Sequence, residues 1–152
     1  MIHSKLLAII PFFLIALPAV LPAQTAADLE TVLRSPTVSS AQAARFVLSS
    51  SGMSVQVVPE KDAYERAVSS GWLAKTAADD PITMGRLSYL MMEAFGLKGG
   101  VMYAIFPGPR YAYRSMVSRN FIQGASDPAL IVSGERFLLI LGKVLNALGD
   151  GQ

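Results

Sequence analysis

Beyond residue 25, the apolar positions fall into short stripes of helical spacing, each closed by a turn-forming residue. Leu29, Val32 and Leu33 share a face of a helix over 26–34, with Asp28 and Glu30 early, where the helix dipole favours acids. Ser35-Pro36 stops it. Ser39 or Ser40 caps a second helix to about Ser50, striped by Ala43, Ala44, Val47 and Leu48. Val55 and Val57 alternate with polar neighbours over 53–58, the pattern of a short extended segment. Pro59 opens a third helix that runs to Ser70, with Gly71 as its left-handed cap and Trp72-Leu73 as the hydrophobic landing. Thr83 caps a fourth, carrying Leu87, Leu90, Met91 and Ala94 and ending at Gly96. Pro109 starts a fifth, to about Asn120, and Ser133 caps a last one, with Phe137, Ile140, Leu141, Val144 and Leu145, that ends at Gly149. The pattern predicts an all-α chain, a small bundle with at most one minor extended segment. Gly85 and Gly142, inside helices, each cost about 1 kcal/mol relative to Ala and imply close approach of a neighbouring helix.

The stripes repeat. The run 63–73, AYERAVSSGWL, aligns without gaps on 112–122, AYRSMVSRNFI. Ala-Tyr opens both, Val-Ser lies in the middle, and a Gly or Asn precedes an aromatic-aliphatic pair. Downstream, Ile82-Thr83-Met84-Gly85-Arg86-Leu87 matches Val132-Ser133-Gly134-Glu135-Arg136-Phe137, and Val38-Ser39-Ser40-Ala41-Gln42-Ala43 reads as an earlier copy that lacks its preceding helix. Helix-loop-helix units of roughly 50 residues, at about 38–58, 59–97 and 109–149, bury their apolar faces only against one another.

These features resemble the S-layer homology domain, a cell-envelope module used in tandem. Gly71-Trp72-Leu73 followed by Asp80-Pro81-Ile82-Thr83 fits its helix, landing, loop and helix-opening step, as does Asn120-Phe121-Ile122 followed by Asp127-Pro128 and Val132-Ser133. The resemblance covers about 38–148 and implies a bundle of such repeats that holds an anionic wall polymer. The family's Thr-Arg-Ala-Glu-type motif is replaced here by Thr83-Met84-Gly85-Arg86 and Ser133-Gly134-Glu135-Arg136, and 99–109 has no counterpart.

The 52% hydrophobic content exceeds what this core needs, because the first 23 residues read as a secretory signal. His3 and Lys5 lead an apolar run over 6–20, and Leu21-Pro22-Ala23 offers cleavage before Gln24, with a cut after Ala27 as the alternative. Pro11 and Pro18 interrupt the run, which is shorter than the roughly 20 residues of a spanning helix, so cleavage is favoured over an uncleaved anchor. Residues 24–152 then form one exported domain, periplasmic or extracellular, with no membrane span. The chain has no cysteine. That excludes disulfides, thiolate metal sites and lipoprotein attachment. With Lys5 and His3 gone, twelve basic residues face eleven acidic ones, without blocks of like charge, and nucleic acid is not an expected partner.

Candidate chemistry is sparse. A mature chain without His or Cys would rest any acid-base role on carboxylates. Glu93, expected on a solvated face, and the loop pair Asp79-Asp80 are the acids a glycan hydrolase would draw on. No catalytic residue, metal site or cofactor is assigned. Arg110 and Arg114, four apart on one helical face, with Tyr111 and Tyr113 beside them and Lys98 and Tyr103 nearby, suit a carboxylate, phosphate or sugar ligand. The alternative is that the tyrosines are half-buried core and the arginines serve solubility. The expectation is an envelope binding or assembly module that engages a wall polymer or an envelope protein, a protein adaptor being the second reading.

Overall fold

A computed structural model describes residues 21–52, 58–124 and 127–150, and there the chain is all-α. The helices are α1 (Leu21–Arg34), α2 (Ser40–Ser50), α3 (Glu60–Ser69), α4 (Met84–Ala94), α5 (Val101–Ile105), α6 (Pro109–Ser118) and α7 (Gly134–Gly149). No helix among the described residues is long and apolar enough to cross a membrane. The expected signal segment lies outside the described residues up to position 20, and 21–23 belong to α1, which begins five residues before the expected start. The expected extended segment lies outside them too, save Val58, which is buried.

The local rules account for most helix ends. Ser39 accepts from the Gln42 N–H while the Gln42 side chain accepts from the Ser39 N–H, a reciprocal cap on α2. Gly71 (φ 75°) and Asn120 (φ 65°) both take the left-handed conformation after α3 and α6. Behind Gly71, the N–H groups of Trp72 and Leu73 both donate to the Ala67 carbonyl. Behind Asn120, those of Phe121 and Ile122 both donate to Met116. One terminal geometry is thus built twice, once on Gly and once on Asn.

Three aliphatic residues join the units at the centre. Ile82 N–H donates to the Val38 carbonyl (2.9 Å), Val132 N–H to Ile82 (3.1 Å) and Val38 N–H to Val132 (2.9 Å), closing a ring of three backbone hydrogen bonds. All three residues are fully buried, so each polar group that would otherwise lose its solvation finds a partner in the next unit. The only strand-like pairing among the described residues is next to this ring, as two isolated antiparallel bridges, Ser39 with Pro81 and Thr83 with Ile131.

Packing of the helices follows the same cycle: α2 lies on α3, α4 on α6, and α7 on α1. The first N–H groups of each inner helix are taken by the loop of the next unit. Ser40 and Ala41 donate to Asp80 and Ala78, Met84 and Gly85 to Leu130 and Pro128, and Gly134 to Ser35. This corrects one expectation. The copy beginning at Val38 does have a preceding helix, α1, which packs on α7 as α3 packs on α2. The helix itself is the one expected over 26–34; its short link and missing aromatic landing leave it unmatched to the helices that precede the other two copies.

The inner helices carry the largest fully buried side chains, among them Leu87, Leu90, Met91, Met92, Phe137 and Ile140. Phe46 of α2 meets Phe137 of α7 edge to face, with ring centroids 6.0 Å apart. Arg45 ties three helices at the rim through ion pairs with Asp28 of α1 and Glu60 of α3.

Candidate functional site

The stretch over 99–109, which has no counterpart in the repeat, contains a helix of its own. α5 is held inward by one residue, Tyr103, which is buried against α4. Its hydroxyl donates to Glu93 Oε1 (2.5 Å), and its ring meets Tyr89 edge to face at 6.3 Å. Burial, then the hydrogen bond to the Glu93 carboxylate and the carboxylate's charge, push the Tyr103 hydroxyl far above the usual tyrosine range. Burial, and then the charge of Glu93, raise Tyr89 as well. Glu93 is therefore a half-buried acceptor and not the solvated residue expected from its helix position. Gly100 N–H donates to Ser115 Oγ (3.3 Å), joining the start of α5 to α6.

α6 begins at Pro109, whose ring presets the first helical turn. Arg110 and Arg114 follow one turn apart on its exposed side. Both line an open groove of about 580 Å³ between α6 and the start of α4. Tyr113 forms part of its wall, Thr83 and Gly85 the opposite side, and Pro128 and Ala129 one end. Among the described residues no carboxylate lines it. Neither guanidinium has an ion pair or hydrogen bond among the described residues. A Cβ on Gly85 would lie 3.2 Å from Pro128 and 3.5 Å from Pro109 Cβ, so the glycine lets the loop and α6 close on α4 here. Gly142, the other interior glycine, faces open space and has no such neighbour.

Thr83 occupies the N-cap position of α4, but its hydroxyl makes no cap bond. Ser39 and Ser133, its counterparts, accept from the N–H groups of Gln42 and Arg136. Tyr113 and its counterpart Tyr64 occupy matching places on α6 and α3. Tyr64 is buried, and its hydroxyl bridges the backbone N–H and carbonyl of Thr76; Tyr113 is half-buried on the groove wall.

Of the expected binding residues, the structure brings Arg110, Tyr113 and Arg114 together at this groove. Tyr111 and Arg114 line a second, smaller groove of about 300 Å³ with Val101, Met102 and Tyr103. Tyr103 contributes a ring edge there, its hydroxyl being engaged by Glu93. Lys98 is exposed and lines neither groove. Thr83, Gly85 and Pro128 escape a reading by spacing because they come from other parts of the chain; the match of Asp80-Pro81 with Asp127-Pro128 is the signal that leads toward them. Comparison with family models, curated proteins and solved structures finds no match for this chain.

Proposed function

We propose that the chain is an exported, non-catalytic module of the cell envelope that holds an acidic polymer in the groove between α4 and α6. The observation that carries this reading is the pair of guanidinium groups of Arg110 and Arg114, which have no partner among the described residues, on a groove that no described carboxylate lines. Two arginines one turn apart repel each other in the free protein, by a few tenths of a kcal/mol, and an anion between them reverses the sign. Tyr113 adds an aromatic wall on which a sugar ring can lie. The resemblance of the repeated landing and helix-opening steps to S-layer homology modules implies the same ligand class. Glu93, the acid a hydrolase would draw on, is engaged by Tyr103, which favours a binding role over a catalytic one.

Retention of the purified protein on isolated cell wall tests this, with Arg110→Ala/Arg114→Ala beside the parent. The expected result is retention of the parent, weakened by salt, and loss in the variant. Equal retention of both removes the groove from the proposal, and no retention of the parent removes the polymer. A stoichiometric envelope protein co-purifying in place of polymer would establish the adaptor reading instead.

A further inference from the structure

α5 is amphipathic in the wrong sense for a core helix. Its one buried residue is Tyr103, and its outward side is apolar: Val101 is 76% exposed, Met102 47%, Ile105 59%, and Phe106 just beyond it 60%. The four sit at i, i+1, i+4 and i+5, a contiguous patch on the turn between α4 and α6. Glu93, the acid bonded to Tyr103 of α5, is half-buried, and the exposed charges of the chain that follows it are basic. Between Glu93 and Asp127 the sequence has no acidic residue, while Lys98, Arg110, Arg114 and Arg119 are all exposed. Arg114 borders the same small groove as Val101 and Met102, so cation and patch are neighbours in space.

We propose that this face, the exposed side of α5 with its basic surround, docks on an anionic lipid surface. Apolar side chains of this size enter the boundary between headgroups and acyl chains, and flanking Lys and Arg stay at headgroup level. Each cation near such a surface contributes about fivefold in partitioning. A second copy of the chain fits less well, because a two-fold contact through this patch would bring two sets of exposed cations together. A wall polymer satisfies the arginines but leaves Ile105 and Phe106 in water. The inference goes beyond the polymer reading while sharing Arg110 and Arg114 with it, and the apolar residues separate the two.

The test is co-sedimentation of the full protein with vesicles of phosphatidylcholine containing phosphatidylglycerol, and with phosphatidylcholine alone. Expected is binding to the anionic vesicles, at least about tenfold weaker binding to neutral ones, and weakening by salt. Ile105→Ser/Phe106→Ser abolishes vesicle binding and leaves cell-wall retention unchanged; since both side chains are exposed, its thermal unfolding matches the parent. A parent that stays in solution with anionic vesicles overturns the proposal, as does undiminished binding by Ile105→Ser/Phe106→Ser. Self-association of the parent that this variant relieves, without vesicle binding, assigns the patch to a second copy and overturns it as well.

Discussion

Gly134, the first residue of α7, stands so close to Val32 near the end of α1 that a Cβ built on it would fall 1.5 Å from the Val32 carbonyl oxygen. Its N–H donates to the Ser35 carbonyl across the same contact. The obstacle is backbone and cannot swing aside, so α1 and α7 must separate to admit a methyl group. Gly134→Ala is expected to cost about 3 kcal/mol or more in denaturant unfolding. Gly142→Ala, eight residues along the same helix and facing open space, should instead stabilise by about 0.5–1 kcal/mol through helix propensity. Opposite signs from one substitution in one helix would verify the close approach.

The caps offer a second comparison. Ser39→Ala removes the acceptor of a reciprocal cap and should cost about 1 kcal/mol in thermal or urea unfolding. Thr83→Ala, at the same position of α4, removes a hydroxyl that makes no cap bond, and should stay within about 0.5 kcal/mol. If Thr83→Ala proved as costly as Ser39→Ala, its hydroxyl would be capping α4 in solution.

At the end of α3, Gly71 holds φ 75° with nothing within 4 Å of the place a Cβ would take, so the cost of a side chain there is conformational and not steric crowding by neighbours. Gly71→Ala should cost about 1 kcal/mol. Asn120→Ala should cost less than about 1 kcal/mol, because Asn already accepts part of the left-handed penalty. Equilibrium unfolding of the two variants side by side measures the difference.

Tyr103 sets an alkaline limit. Its hydroxyl keeps its proton more tightly in the folded chain than in the unfolded one, where it titrates near 10. The folded state therefore binds more protons above that pH. The contribution is fully present below about pH 10 and is lost as pH rises beyond it. Tyr103→Phe should lower stability at neutral pH by about 1–3 kcal/mol by leaving the Glu93 carboxylate without its donor, and should flatten the alkaline fall. Unfolding midpoints between neutral pH and pH 11 read both effects.

Most of the helical order is legible in the chain because single residues punctuate it. Ser39, Gly71, Gly96, Pro109 and Ser133 each stop or start a helix by a local mechanism that needs no tertiary partner. α5 is not legible, because five residues are too few for a period to emerge and its apolar side chains point outward. Glu93 looks solvated by spacing since its partner, Tyr103, reaches it only after the chain turns back at Gly96–Gly100. At the groove, Arg110 and Arg114 declare their common face through the i, i+4 rule. The facing wall from Thr83 and Pro128 depends on how one unit sits against the next, which periodicity within a helix does not encode.

The ring through Val38, Ile82 and Val132 also fixes a number. Open solenoids gain or lose units at their ends, because each end presents the surface that the next copy would cover. Here the surface the last unit would offer to a successor is occupied by α1, just as a head-to-tail contact between subunits closes a ring when the rotation per step divides the circle. A fourth copy would have nowhere to attach, and a chain of two would leave both the α1 and the inner-helix faces bare. Within this ring, additions to the chain are therefore accommodated in the connections, as α5 is between α4 and α6.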